Sequence, residues 1–221
     1  VIMSWGALFV DNDEVPWATP DSTPMSLVKK YHIDRAGAGT DRLDIDFTKP
    51  VVLAMVANTS GVIASVSRPS SGGASITSKL IIGNGPYTID VYAFSTQFQP
   101  AVKFGINIFD AQGRCIQTNE TKVMPAPRRL GEPGSDGAGY NVRETLTGRW
   151  AIIPATTGYI TAVIGRQQPR PFQQPISSFS AFDGNNTSVY SGAWDTPGGE
   201  AHNITYYNTK DSVYVIDISS F

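Results

Sequence analysis

Hydrophobic positions recur at every second residue in short blocks along this chain, and no stretch shows the three-to-four-residue spacing of an amphipathic helix. The most completely specified block is residues 104–122, FGINIFDAQGRCIQTNETK. Phe104, Ile106 and Ile108 alternate with Gly105, Asn107 and Phe109, Asp-Ala-Gln-Gly supplies a turn, and residues 114–118 lead away, which predicts a β-hairpin. Asp110 suits the first turn position because its carboxylate accepts from backbone N–H groups two residues on. Gly113 suits the positive φ that closes such a turn.

The same reading gives strands elsewhere. Residues 4–10 form a short apolar run ended by Asp11-Asn12-Asp13-Glu14, which is turn chemistry without the ligand spacing of an EF-hand, and residues 15–18 resume it. Residues 25–33 fit a strand or a single helical turn, with the strand preferred, and residues 42–48 alternate before Pro50 interrupts. Residues 51–57 are a continuous apolar run of buried-strand length. Residues 65–78 are Ser/Gly-rich, with Gly72-Gly73 marking a turn, and residues 79–82 and 86–94 are the next strands. In the second half, strands are expected at 150–153, 159–164, 176–182, 187–194, 201–207 and 212–219. Two stretches dense in Pro, Gly and Gln, residues 125–139 and 165–175, are expected to be long irregular loops.

Short strands at close spacing with Gly/Asn/Asp/Pro turns predict an all-β chain with little or no helix, built as antiparallel β-sandwiches. A weak internal repeat suggests two of them. Trp5-Gly6, Phe9-Val10 and Asp11 match Phe104-Gly105, Ile108-Phe109 and Asp110, and Tyr87-Thr88-Ile89-Asp90 matches Tyr214-Val215-Ile216-Asp217. The expectation is an N-terminal β-sandwich-like domain, 1–98, and a C-terminal one, 99–221, joined by a short linker near residues 97–103, with the 125–139 and 165–175 loops in the second.

Composition narrows the chemistry. Seventeen Lys+Arg against nineteen Asp+Glu give a net charge of −2, and only 16% of the 221 residues are charged, so a nucleic-acid partner, which needs a basic patch, is not expected. The one cysteine, Cys115, rules out an internal disulfide and is expected to be buried. No apolar run reaches the roughly 20 residues of a membrane helix, so no membrane insertion is expected. The start VIMSWGALF has no signal-peptide pattern, and Met3 is a candidate natural start.

No catalytic residue, cofactor site or metal site emerges. His32 and His202 are the two histidines, and neither stands in a metal spacing. No serine lies in a nucleophile elbow. Carboxylates such as Asp44, Asp46, Glu120, Glu144, Asp183, Asp195 and Glu200 could pair in space as in a glycosidase, but solvated charge is the default. The Asn-x-Ser/Thr sequences are a by-product of turn composition. The candidate glycan or partner contacts are aromatic: Trp150, Phe172, Tyr190, Trp194 and Tyr206, with Tyr207 beside them. A flat ring can pair with the apolar face of a sugar, although core packing is the commoner fate of such residues in strands.

The pattern Phe-Gly-Ile-Asn-Ile-Phe-Asp-Ala-x-Gly-Arg-x-Ile-x-Thr at residues 104–118 resembles the opening signature of small virion proteins of long-tailed bacteriophages. Ser4-Trp5-Gly6 after Met3, and the ending Val-Ile-Asp-Ile-Ser with a terminal aromatic, have the same character. The resemblance implies a non-enzymatic structural protein of the tail or tail tip, located in the virion and assembled in the host cytoplasm. Its partners would be other virion proteins and further copies of itself around the tail axis. The alternative is a receptor- or carbohydrate-binding module of the same particle.

Overall fold

A computed structural model describes residues 9–10, 16–18, 23–68 and 72–221. The protein is nearly all β, with 54% of residues in strands and no α-helix among the described residues. Eighteen strands and one 3-10 turn, Gly139–Asn141, are present among the described residues. They fall into two compact units, neither continuous in sequence. Unit 1 comprises Val1–Lys29, Phe47–Val52 and Ala93–Met124; unit 2 comprises Lys30–Asp46, Leu53–Tyr92 and Pro125–Phe221.

In unit 1, β1 (Phe9–Val10) pairs antiparallel with β2 (Pro16–Ala18). The Asp11–Glu14 cluster between them lies outside the described residues. β9 (Asn107–Phe109) and β10 (Cys115–Thr118) form the second hairpin. Its turn follows the sequence closely. Asp110 Oδ1 accepts from the N–H groups of Gln112 at 3.0 Å and Arg114 at 2.8 Å, and Gly113 takes φ +76°. Cys115 is buried, as its small apolar character predicts. The ring of Phe98 lies between Lys49 Nζ at 3.6 Å and the Arg114 guanidinium at 4.3 Å, a stacked cation–π contact. The hairpin differs from expectation at its first strand: Phe104 and Ile106 precede β9, and their side chains are exposed.

Unit 2 holds most of an 11-stranded sheet. Its main path runs β11 (Arg128–Leu130), β18 (Val213–Asp217), β13 (Trp150–Ile152), β5 (Val51–Ala57), β15 (Arg170–Phe182), β14 (Thr156–Ile164), β17 (Ala201–Asn208). Off this path, β16 (Asn186–Ala193) pairs with β15 and with β12 (Glu144–Thr147), and β8 (Tyr87–Ser95) pairs with β5 and with β3 (Ser26–Arg35). A separate three-stranded sheet is ordered β4 (Gly39–Leu43), β7 (Ala74–Leu80), β6 (Val62–Ser67). β3, β5 and β8 each contribute residues to both units.

This grouping does not follow the contiguous pair of domains, 1–98 and 99–221, expected from the repeat. β5 of the first half pairs with β13 and β15 of the second, through Met55–Ile152 and Ala57–Ala181. The matched tyrosines also differ in environment: Tyr87 is 1% exposed and Tyr214 is 44% exposed. The matched Ile89 and Ile216 are both buried, a likeness that a short alternating pattern gives to any half-buried strand.

The 165–175 loop is a correction. Residues 170–175 are the first half of β15, which pairs residue by residue with β14 from Arg170↔Ile164 onward. Pro171 and Pro175 lack N–H donors, and the paired glutamines look like loop composition, but neither stops a strand whose other backbone groups find partners. The 125–139 stretch also contains a strand, β11, paired with β18. Residues 65–78, read as a turn region, supply the end of β6 and the start of β7 around Gly72-Gly73.

The unit 2 core is aliphatic, with Ile63, Ile76, Ile152 and Ile216 among side chains fully out of solvent. Its buried serines are paired: Ser180 Oγ donates to Met55 O at 3.0 Å, and Ser178 Oγ to Ala155 O at 3.3 Å. Ile152 pairs both with Val215 and with Met55, at the middle of the sheet. Ile152→Ala is expected to destabilise unit 2 by about 2–5 kcal/mol, read as a lower denaturant midpoint in chemical unfolding.

Candidate functional site: the exposed aromatic edge at β17

β17 terminates the main path of the sheet, pairing with β14 alone. Residues opposite one another across an antiparallel pair share a face. Tyr207, Tyr159 and Pro175 therefore form one row across β17, β14 and β15, with Thr205, Thr161 and Gln173 the next row on that side. Ile160 and Ala162, on the opposite face of β14, are 1% and 6% exposed and belong to the core. The Tyr159 face is the outer one: Tyr159 is 38% and Tyr207 57% exposed. Both rows carry hydroxyl or amide groups and no formal charge.

Local structure fixes this edge at both ends. At Asn203 the backbone takes φ +55°, and Ala162 of β14 faces both Asn203 and Ile204, so a β-bulge separates the first residues of β17 from a regular stretch after it. At the other end, Asn208 holds the 3-10 turn. Its Nδ2 donates to Ala138 O at 3.0 Å, and its Oδ1 accepts from the N–H groups of Tyr140 at 3.2 Å and Lys210 at 3.0 Å. A Cβ at Gly139 would lie 1.8 Å from that Oδ1, and one at Gly158 would lie 2.4 Å from Tyr207 O. Both positions need glycine for close approach.

The structure does not gather the sequence-predicted aromatic residues into one platform. Trp150 is half-buried at the start of β13, its indole N–H donating to Thr147 O at 2.9 Å. Trp194 follows β16, and its indole N–H donates to Ser177 Oγ at 2.8 Å. Tyr190 packs edge-on against Phe179, with ring centroids 3.9 Å apart, and burial raises its phenol above the usual range. Phe172, expected in a loop, lies within β15 opposite Ala162. Tyr206 is on the core-side face but at the rim, 57% exposed. The exposed positions that sequence reasoning passed over are Tyr159 and Ile204. The parity of β14, where Tyr159 alternates with buried Ile160, was the available signal for the first.

A second cluster surrounds Asp90, which is 8% exposed on β8. His32 Nδ1 lies 2.6 Å from its carboxylate and Lys30 Nζ 4.0 Å, and the Arg149 guanidinium hydrogen-bonds it directly. Arg149 also stacks over Phe182, 5.4 Å from the ring centroid. An Asp–His contact can orient a general base. Here the outer nitrogen of His32 faces a second carboxylate, Asp34 at 3.4 Å, so the arrangement is an ion cluster joining β3, β8 and the chain before β13. The two clefts beside β17, around Arg166 and Glu200, are open and polar. Among the described residues, no three His, Cys, Asp or Glu side chains are grouped to hold a metal ion.

Two outcomes follow from these geometries. The hydrogen bond that the His32 ring donates to the Asp90 carboxylate, together with that carboxylate's charge, raises the His32 pKa above its ordinary 6.5. Its contribution to stability is fully present below the unfolded value and is lost as pH rises through the folded value. The difference in thermal midpoint between the wild type and His32→Gln is therefore expected to shrink from pH 5 to pH 9, in a melting series. Asn208→Ala, which leaves two N–H groups and a carbonyl without their partner, is expected to cost about 1–3 kcal/mol and to speed hydrogen exchange at residues 138–142. Comparison with protein-family models, with curated proteins and with solved structures finds no match for this chain.

Proposed function

We propose that the chain is a non-enzymatic structural protein of a bacteriophage virion, a tail or tail-tip component that docks to neighbouring virion proteins. The observation that carries this reading is large apolar surface left in solvent on each unit. In unit 1, Phe104, Ile106 and Phe109 are 81%, 61% and 46% exposed. They belong to the hairpin segment whose sequence resembles virion proteins. In unit 2, Ile204, Tyr206 and Tyr207 are 48%, 57% and 57% exposed along one strand. Large apolar side chains left in solvent cost free energy in water and are a feature of surfaces that bind. Assembly needs complementary surfaces and no reactive group.

The second reading, a receptor- or carbohydrate-binding module, is favoured by the uncharged row of Tyr207, Tyr159 and Pro175 beside the hydroxyls of Thr161 and Thr205. Such a face offers rings for the apolar side of a sugar and donors for its hydroxyls. It replaces the platform built on Trp150 and Trp194, whose indole N–H groups are engaged within the protein.

Mass spectrometry of purified phage particles carrying this gene is expected to find the chain in fixed proportion to the other tail proteins. Absence from the particle ends the virion reading. Retention on a glycan array that Tyr159→Ala abolishes would move the assignment to the second.

A further inference from the structure

An edge strand presents a row of unpaired N–H and C=O groups, which proteins ordinarily blunt with charge, proline or shortness. Most edges of this protein are blunted. β3 carries Lys29, Lys30, His32 and Asp34, β4 carries Asp41 and Arg42, β11 is three residues long with two arginines, and β12 is four residues long. β17 differs. It is eight residues long, AHNITYYN, with no formal charge and no proline, and its burial pattern is exposed almost throughout.

We propose that this edge pairs with the β17 edge of a second copy of the chain, antiparallel and about a two-fold axis perpendicular to the sheet, centred on Thr205. An axis in that direction keeps each face of the sheet on its own side, so it must pass through a residue position and set that residue opposite itself. Centring on Thr205 places the two Thr205 side chains opposite one another and sets Ile204 of each copy opposite Tyr206 of the other. Threonine pairs and aromatic–β-branched pairs are both favourable cross-strand neighbours. No like charges meet between residues 201 and 208, since the strand has none. The Glu200 end of each copy comes against the Lys210 end of the other, where Lys210 is held by Asp136 of its own chain at 2.6 Å, so the ends set no two free like charges together. The bulge at Asn203–Ile204 lies beside the centre of the paired segment, so the regular ladder around the axis is the short stretch from Ile204 to Tyr206. The inference does not depend on the virion reading, because strand pairing requires only this edge.

Sedimentation velocity over a dilution series is expected to show a species of twice the 23.8 kDa chain mass. Ile204→Lys together with Tyr206→Lys sets lysines opposite one another and is expected to yield monomer, whereas Ile204→Lys with Tyr206→Glu pairs opposite charges and is expected to restore the dimer. Circular dichroism checks that each variant keeps its strands. Register is read separately: Thr205→Cys is expected to give a disulfide-linked dimer on mild oxidation, because opposed Cα atoms are about 4.5–5.5 Å apart, within disulfide reach. Tyr207→Cys is not, because the two copies of that position are offset by several residues. Wild-type protein that stays monomeric at every concentration overturns the proposal. So does a dimer unaffected by the lysine pair, or one cross-linked at Tyr207→Cys as readily as at Thr205→Cys.

Discussion

β15 hydrogen-bonds three neighbours in succession along its 13 residues: β14 from Arg170 to Ser177, β16 from Ile176 to Phe182, and β5 at Ala181. Buried backbone groups that find no partner cost about as much as a lost hydrogen bond each. A strand this long is stable only because every stretch of it is answered by another. The serines in its second half extend the same logic to side chains. Ser177 receives the Trp194 indole N–H, and Ser178 and Ser180 bond carbonyls of neighbouring segments.

Much that bears on function hangs from this strand. Its first half supports β14, which in turn supports β17, so the exposed aromatic edge is held two strands out from β15. The Pro/Gly-rich chain before β12 contributes at the far end of β17, where the turn at Gly139–Asn141 is tied to Asn208. Stretches expected to be long irregular loops are in part strands and a turn of the scaffold that carries this edge. If two copies pair through β17, the Tyr159 faces of both lie on the same side of one continuous sheet, and a platform for a partner is doubled without further contacts.

Legibility from sequence tracked the range of the interaction. The Asp110 turn was readable because its carboxylate, its two N–H donors and Gly113 lie within five residues. β5 was readable because a seven-residue apolar run bounded by proline has few other fates. The start of β15 was not, since Pro171, Gln173, Gln174 and Pro175 have weak strand propensity and are strands only through pairing with β14. Trp150 and Trp194 stood out as candidate contacts, but their indole N–H groups are taken up by Thr147 O, three residues back, and by Ser177, distant along the chain.

The sequence by itself determined that the protein is β-rich, lacks a disulfide, and turns where Asp, Asn and Gly allow, because these follow from backbone preference and composition acting over a few residues. Only the tertiary structure decided which strands share a sheet, which tyrosines face solvent, and that β17 is left at an edge. Those outcomes depend on pairing between segments far apart in the chain, and alternation of polar and apolar residues specifies a face without specifying the neighbour across it.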